Sequence, residues 1–197
     1  MAKITLLRHA AVHGDGRLYS AETGPMSASA FEVLPPMLIS ECFTHILVSP
    51  TDRTRLTANW LKRALMWSEP LRELELLGPQ DWGDWTGRKP AEVGIRGEDR
   101  PPYWLVDHDV SPPNGESFVD ICARAEKFLQ GLVTLDGSPG GGDSVLAVTH
   151  GEFIRAMIVT ALAMEPATAR MFDVPPLGSV ILRKRDSWGG GWFLCAR

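Results

Sequence analysis

The sequence of 197 residues contains only three cysteines, Cys42, Cys122 and Cys195, which lie far apart without a CxxC spacing. This scarcity argues against a disulfide framework or a structural zinc site, and we expect all three to be buried small hydrophobic residues. There is no excess of basic charge either. The net charge is −4 and the pI about 5.7, whereas a general nucleic-acid binder needs a basic face. A few local arginines can still bind a small anionic substrate.

Long apolar runs are also missing, since no stretch approaches the roughly 20 residues of a membrane-spanning helix. The N-terminal MAKITLLRHA has one lysine and a short apolar run that Arg8 interrupts. It is too short for a signal peptide, so the cytoplasm is the expected location and no membrane partner is expected. With 44% hydrophobic and 22% charged residues, the composition is that of a globular protein, and the length predicts one domain over 1–197.

Short apolar segments alternate with segments of helical periodicity. Strands are predicted at 3–7, 45–48, 144–149, 180–184 and 192–195, and helices at 27–41 (with an interruption at Pro35-Pro36), 52–66, 116–134 and 152–164. This alternation predicts an α/β fold, a three-layer helix–sheet–helix sandwich with a mostly parallel sheet and an antiparallel hairpin at one edge. The helix at 52–66 is expected to bury an apolar stripe of Leu56, Trp60, Leu61, Ala64 and Leu65. Residues 77–115 form a long excursion rich in Gly, Pro and Trp, a feature that is usually functional.

Chemically active side chains follow three of the predicted strands. One strand ends in Arg8-His9 and another in His150-Gly151, and ligands of open α/β sheets bind beyond such carboxyl ends. A third strand leads into SPTDRTRLTA, which puts Arg53 in the first turn of a helix, where anions are favoured. Two histidines and two arginines predict a phosphate pocket with a histidine nucleophile. The arginines would bind the phosphoryl group and favour the neutral imidazole that can attack it.

Five pieces, LLRHA, SPTDRTRLTA, GDWTG, NGES and VTHGEFIR, occur in this order between residue 4 and about residue 158. Together they resemble the histidine phosphatase superfamily, the phosphoglycerate-mutase-like or RHG family. The resemblance implies a phosphohistidine at His9 and a phosphate held by Arg8, Arg53, His150 and Gly151. It also implies that His150 stabilises the developing charge. The expected activity is hydrolysis of a small phosphorylated metabolite, with no metal and no other cofactor.

The segment GRLYSAETGPMS is similar to a substrate-facing loop of α-ribazole phosphatase-like members of that family. This similarity implies substrate contacts for Arg17, Tyr19 and Ser20. It is less specific than the five pieces above.

Two positions depart from the family pattern. Ala10 replaces the glycine of RHG, which requires a negative φ there and is expected to change little. Pro79 lies four residues before the first glycine of GDWTG, where the family usually has the glutamate that protonates the leaving group. Because proline cannot donate a proton, the acid is expected among Asp81, Glu116 and, if the loop is re-registered, Glu75.

Several alternatives stay open at this point. Glu116 is equally well interpreted as a complement to a helix dipole. Arg53 could instead form a surface ion pair with Asp52 or Glu69. His13 beside His9 is weak evidence for zinc.

Two functional rivals also remain. One is a mutase that returns the phosphoryl group to a sugar acid, although such members are usually longer around the excursion. The other is a phospho-ligand-binding protein that lost turnover with the glutamate. The expected partner is a small phosphorylated substrate rather than a nucleic acid, and a homodimer is left open.

Overall fold

The computed structural model of the protein describes residues 2–12, 16–19, 35–39, 41–93, 108–132, 144–185 and 190–195. His13, Ser20, the predicted helix start at Ser27 and the tract SPGGGD at 138–143 lie outside these ranges. So does the central part of the 77–115 excursion.

The strands of the described residues form one sheet. They are β1 (Lys3–Arg8), β2 (His45–Val48), β3 (Arg72–Glu73), β4 (Ser144–Thr149), β5 (Ser179–Arg185) and β6 (Gly191–Cys195), in the order β3-β2-β4-β1-β5-β6. Strands β1 to β4 are parallel, while β5 is antiparallel to both β1 and β6. The predicted mostly parallel sheet with an antiparallel hairpin is confirmed. Only β3 was missed, because two exposed residues have no strand pattern.

Helices cover both faces of the sheet, which confirms the three-layer sandwich. They are α1 (Pro36–Ile39), α2 (Asp52–Ala64), α3 (Phe118–Leu132) and α4 (Gly151–Ala161), with short 3₁₀ helices at Glu75–Leu77, Gly83–Trp85, Pro90–Val93 and Pro166–Met171. One buried cluster joins α3 and α4 to Ile4, Leu6 and Ala147. A second cluster joins α1 and α2 to Leu7 and Val148 on the opposite face. Alternate residues of each central strand therefore serve opposite layers.

The inward face of α2 differs from the predicted apolar stripe. Of the predicted stripe, Leu61 is buried and both Trp60 and Leu65 pack partly buried against the core. Leu56, by contrast, is 50% exposed and Ala64 is exposed. The helix also buries Arg53, Thr54, Thr57 and Ala58. The Thr54 hydroxyl donates to the Ser49 carbonyl at 2.6 Å, and the Thr57 hydroxyl donates to the Arg53 carbonyl at 2.7 Å. These bonds satisfy polar groups that a purely hydrophobic pattern excludes from a core. The prediction is wrong for Leu56 and Ala64, because the buried face of α2 is partly polar.

The start of α3 also differs from the prediction. The helix begins at Phe118 and not at Glu116. Ser117 caps it, because its hydroxyl donates to Asp120 Oδ2 at 2.7 Å while the Asp120 N–H donates to Ser117 Oγ at 3.1 Å. Glu116 consequently lies outside the first turn of α3. The buried residues of α3 are Phe118, Ile121, Ala125, Phe128, Leu129 and Leu132.

The cysteines are free, but they are not all buried as expected. Cys42 is exposed, and Cys122 and Cys195 are partly buried. Among the described residues, no helix is both long and apolar enough to cross a membrane.

Candidate active site

The strand register brings two histidines together at the carboxyl edge of the sheet. β1 and β4 are adjacent, with Arg8 opposite Thr149. His9 and His150 follow these residues directly, so they leave the sheet at the same level. The His9 N–H donates to the Thr149 carbonyl at 2.9 Å, and the two imidazole centroids are 5.2 Å apart. The predicted pair therefore shares one site.

The ring of His9 is held in one tautomer. Its Nδ1 lies 2.8 Å from the carbonyl oxygen of Ala10, and because a carbonyl only accepts, Nδ1 must carry the proton. The neutral ring then has its lone pair on Nε2. Burial, opposed by the Ala10 carbonyl and reinforced by the charges of Arg53 and Arg8, lowers the pKa of His9 from 6.5 to about 3. His9 is thus neutral across the physiological range.

The backbone at Ala10 accommodates the missing glycine. Ala10 is not among the residues with a left-handed backbone, and its N–H donates to Thr57 Oγ1 at 3.0 Å. The hydroxyl of Thr57 on α2 therefore fixes the peptide that orients His9. Only a glycine with positive φ would have been irreplaceable here.

His150 has the opposite tautomer to His9. Arg53 Nε donates to Nδ1 of His150 at 3.1 Å, and a guanidinium can only donate. The proton of neutral His150 is therefore on Nε2, which donates to Ser49 Oγ at 2.9 Å. Burial, reinforced first by the charge of Arg53, holds the pKa of His150 well below its usual value.

Arg53 lies in the first turn of α2 and faces the interior. It is 4% exposed, so a surface ion pair with Asp52 or Glu69 is not its role. Burial lowers its pKa to about 10, which leaves the guanidinium charged at neutral pH. The surface pair belongs to Arg55, whose Nε donates to Glu73 Oε1 at 2.7 Å.

Arg8 supplies a second guanidinium beside the start of α4. Its Nη1 donates to the Val174 carbonyl at 2.6 Å. Its Nε is buried without a hydrogen-bond partner in the described part of the chain. A Cβ placed on Gly151 would lie 3.5 Å from this Nε and 3.1 Å from Nη1 of Arg155. The glycine thus lets the first turn of α4 approach both arginines closely.

The helix starts add to the positive potential of this edge. α2 and α4 both begin there, after Thr51 and His150, and neither residue makes a side-chain capping hydrogen bond to its helix. The first N–H groups of a helix favour anions through their partial positive charge. Two neutral imidazoles, the buried guanidinium of Arg53, the partly buried guanidinium of Arg8 and two helix starts thus form an anion site.

A model of the histidine phosphatase superfamily (branch 1) matches residues 4–192. The chain belongs to the histidine phosphatase superfamily.

Curated relatives in the superfamily include phosphoglycerate mutases. A 2,3-bisphosphoglycerate-dependent phosphoglycerate mutase from Rhizobium etli is 33% identical over 136 residues, covering 64% of this chain and 63% of that protein. One from Brucella anthropi is 31% identical over 93 residues, covering 47% of this chain and 44% of that protein. The chain thus spans less than two thirds of the length of these relatives.

Solved structures with the same fold include several phosphatases. A mycobacterial glucosyl-3-phosphoglycerate phosphatase is 23% identical with a TM-score of 0.79, covering 98% of this chain and 96% of that one. A phosphoserine phosphatase from Entamoeba histolytica is 20% identical with a TM-score of 0.79, at coverages of 100% and 96%. A putative alpha-ribazole-5'-P phosphatase from Escherichia coli is 19% identical with the same TM-score and coverages. At these identities the likeness establishes the fold.

Pro79 was expected to replace the acid, and the three carboxylates named as substitutes differ in their contacts. Both carboxylate oxygens of Glu116 accept from Arg124, at 2.7 Å and 2.9 Å, and one also accepts the Asp81 N–H at 3.1 Å. Asp81 is exposed, and its Oδ1 accepts the Gly83 N–H at 2.9 Å. Glu75 is exposed at the start of a 3₁₀ helix.

Arg124 on α3 anchors the loop that contains Pro79. Besides Glu116, its guanidinium donates to the carbonyls of Leu76, Gly78 and Pro79 at 2.8 Å, 3.1 Å and 3.0 Å. A hydrogen bond from the end of β4 also holds this loop, since the Thr149 hydroxyl donates to the Leu77 carbonyl at 2.6 Å. The sequence did not predict these roles of Arg124 and Thr149, or the contact of Ser49 with His150. Ser49 directly follows β2, and this position at the carboxyl end of a strand was the signal that could have identified it.

The GDWTG and NGES segments meet backbone to backbone. A Cβ on Gly83 would lie 2.1 Å from the Pro113 carbonyl, and one on Gly115 would lie 2.6 Å from the Asp81 carbonyl. Trp82 is 6% exposed and belongs to the core cluster. Trp85 packs, partly buried, against the same cluster.

The predicted substrate loop is described only at 16–19. Arg17 is exposed, and its Nη1 donates to the Gly87 carbonyl at 2.7 Å, which ties this segment to GDWTG. Tyr19 is partly buried. Within the described residues, no group of three or more His, Cys, Asp or Glu side chains is arranged to hold a metal ion.

Proposed function

We propose that the protein hydrolyses a small phosphomonoester through a phosphohistidine at His9. One observation carries the proposal. The hydrogen bond from Nδ1 to the Ala10 carbonyl leaves the Nε2 lone pair available, while burial keeps the ring unprotonated. A neutral imidazole with a fixed lone pair, exposed to the positive charges of Arg53 and Arg8, is a nucleophile next to an anion site.

The charges of the site support the binding of a phosphoryl group. An unsatisfied buried N–H is costly, so the Nε of Arg8 is stabilised when an anion accepts from it. Arg53 and the first N–H groups of α2 and α4 add donors around the same position. His150 has a proton on Nε2, which can move from Ser49 to a phosphate oxygen.

The reaction then has two steps. Nε2 of His9 attacks phosphorus in line, the P–O bond to the ester oxygen breaks, and the leaving alcohol takes up a proton. Water then attacks the phosphohistidine, the P–N bond breaks, and inorganic phosphate and neutral His9 are released. The net change is ester plus water to alcohol plus phosphate. None of these steps requires a metal in the proposed mechanism.

The contacts of the two candidate acids favour Asp81 as the proton donor. Both oxygens of Glu116 accept hydrogen bonds from Arg124, so Glu116 would have to give up one of these bonds to reach a leaving group. Asp81 is exposed at the edge of the loop that Arg124 anchors. We therefore expect Asp81→Asn to slow esters with poor leaving groups by about 10²–10⁴-fold. Glu116→Gln should act mainly through the loop.

The experiment compares wild type with His9→Ala on p-nitrophenyl phosphate and 3-phosphoglycerate, with and without EDTA. Phosphate release that survives EDTA and is lost in His9→Ala supports the proposal. Release that EDTA abolishes contradicts the metal-free mechanism. Full rates on glycerol 3-phosphate in both Asp81→Asn and Glu116→Gln would exclude both acids.

A mutase is the second candidate, and the identity to the Rhizobium etli and Brucella anthropi mutases is the observation that favours it. Isomerised phosphoglycerate without release of phosphate would establish it. Binding of 3-phosphoglycerate without either reaction would leave a phospho-ligand-binding protein.

A further inference from the structure

A short segment before β5 lies against the arginines of the anion site. It comprises residues 172–178, with the sequence FDVPPLG, and follows the 3₁₀ helix Pro166–Met171. Val174 is 2% exposed and belongs to the core cluster, and Phe172 packs partly buried against the same cluster. These two apolar side chains hold the backbone of the segment in a fixed position.

Two carbonyl groups of the segment each accept a hydrogen bond from an arginine. Arg155 on α4 donates from Nε to the Phe172 carbonyl at 2.7 Å, and Arg8 donates from Nη1 to the Val174 carbonyl at 2.6 Å. Phe172 has extended backbone dihedrals, and Val174 precedes a proline, which favours an extended conformation. Alternate carbonyls of an extended chain point to the same side. The segment therefore holds the two guanidiniums side by side.

The two guanidiniums also meet at the start of α4. A Cβ on Gly151 would lie 3.1 Å from Nη1 of Arg155 and 3.5 Å from Nε of Arg8. Like charges this close repel each other, so each guanidinium needs its own carbonyl to stay in place. Because Nη1 of Arg8 is bonded to Val174 and its Nε has no hydrogen-bond partner among the described residues, Nε is the atom that Arg8 presents at the first turn of α4.

The other end of the segment holds the backbone of Arg8 and His9. The Arg8 N–H donates to the Gly178 carbonyl at 3.0 Å, and the Leu177 N–H donates to the His9 carbonyl at 3.4 Å. Leu177 has a φ of +57° in a turn that the Gly178 N–H closes on the Pro175 carbonyl at 2.8 Å. A positive φ is strained for a leucine, so the contacts around the turn must impose it.

We propose that Arg155 is a positioning residue for phosphate binding. By holding the Phe172 carbonyl from α4, it fixes the 172–178 segment. The Val174 carbonyl then orients Arg8 so that Nε is available to a phosphoryl oxygen. Arg155 acts through Arg8 and needs no contact with the substrate. Only the catalytic consequence rests on the proposed function, because binding of inorganic phosphate tests the same arrangement without turnover.

Calorimetric titration with inorganic phosphate separates positioning from charge. Arg155→Lys keeps the positive charge but lacks the planar guanidinium donors, and Arg155→Met loses both. We expect both variants to bind phosphate about 10-fold more weakly, because a hydrogen bond of a charged group is lost and Arg8 is no longer held. Arg170→Met is the control and should stay within about twofold, since it removes a cation from an exposed position next to the segment.

Two results would overturn the proposal. Wild-type affinity in Arg155→Lys would show that Arg155 acts by its charge or not at all, whatever Arg155→Met does. An equal loss in Arg170→Met would show a general effect of charge.

A second variant covers the case in which Arg155→Lys does not fold, as judged by circular dichroism. A Cβ on Gly178 would lie 2.7 Å from the Pro175 carbonyl, so Gly178→Ala should open the turn and weaken phosphate binding to a similar extent. Unchanged affinity in Gly178→Ala would refute a positioning role of the segment.

The NMR signal of the Arg8 Nε–H gives a readout that a purely structural role would not move. This signal, assigned with Arg8→Lys in isotope-labelled protein, should shift when saturating phosphate is added to the wild type. In Arg155→Lys the shift at saturation should be much smaller. Equal shifts in the two proteins would contradict the proposal.

Turnover separates this inference from the proposed function. Arg155→Lys should lower kcat/KM on p-nitrophenyl phosphate about 10-fold, in line with the loss of phosphate affinity, while Arg170→Met stays within about twofold. If the wild type hydrolyses no ester, the proposed function fails, and the phosphate titrations still decide the role of Arg155.

Discussion

Arg53 Nε donates a hydrogen bond of 3.1 Å to Nδ1 of His150. Through this bond a residue of α2 sets the tautomer of a residue on β4's carboxyl end, 97 positions away. The arginine remains a potential phosphate ligand through its other nitrogens. The histidine keeps a proton on Nε2, where a phosphate oxygen can accept it.

Replacing Arg53 should disturb both the orientation of His150 and the binding of the phosphate. Arg53→Lys keeps the positive charge but loses the planar set of donors that serves both purposes. We expect kcat/KM on p-nitrophenyl phosphate to fall about 10²–10³-fold, as on loss of a charge-stabilising donor. Arg55→Lys on the same helix is the matched control, because Arg55 pairs with Glu73 at the surface. An equal loss in both variants would contradict the assignment.

The free energy of unfolding should depend on pH through the protonation of His9. The pKa of His9 is 6.5 in the unfolded reference and about 3 in the fold. Between these values the unfolded chain binds a proton that the folded chain does not, so the free energy of unfolding falls as the pH falls from 6.5 toward 3. The slope from this group is up to about 1.4 kcal/mol per pH unit, and it vanishes above pH 6.5.

Urea unfolding across this pH range, in buffers without phosphate, measures the slope. His9→Gln removes one titrating group and should flatten the dependence by about that amount. Identical slopes in wild type and His9→Gln would show that His9 is not buried in its neutral form.

Arg124 should control the loop that contains Pro79. Arg124→Met removes the bonds to Glu116 and to three carbonyls, and leaves partly buried groups unsatisfied. We expect a loss of about 2–4 kcal/mol in the free energy of unfolding, together with a lower kcat. Lys127→Met, at an exposed position of the same helix, should change stability by less than about 0.5 kcal/mol. A normal kcat in Arg124→Met would contradict the prediction that this loop affects catalysis.

Much of the site's location was predictable, because it follows from the positions of the apolar strands along the sequence and from their order in the sheet. Apolar segments ending in Arg8-His9 and His150-Gly151 are recognisable as strands, and parallel neighbours in register bring their ends together. The pairing of β1 with β4 in this register is enough to predict that His9 and His150 lie close together.

The contacts around the histidines were not predictable in the same way. Glu116 was expected to open a helix and could have faced the site, whereas its partner Arg124 lies two turns along α3 and binds the 76–79 backbone as well. Leu56 was expected on the buried face of α2, because leucine is more hydrophobic than threonine and the prediction used hydrophobicity alone. The hydroxyl of Thr57 is instead buried because it bonds to the Ala10 N–H and the Arg53 carbonyl. Side-chain hydrogen bonds between distant segments leave no periodic trace in a sequence.

Trapping of the covalent intermediate tests the central claim most directly. Wild-type protein is mixed with p-nitrophenyl phosphate, quenched rapidly in base, digested and analysed by mass spectrometry. We expect an acid-labile, base-stable phosphate on the peptide that contains His9. This phosphate should be absent from His9→Ala and present in Asp81→Asn, because p-nitrophenolate leaves without a proton from the acid. Phosphate release without any phosphorylated histidine, or with the phosphate on another residue, would contradict it.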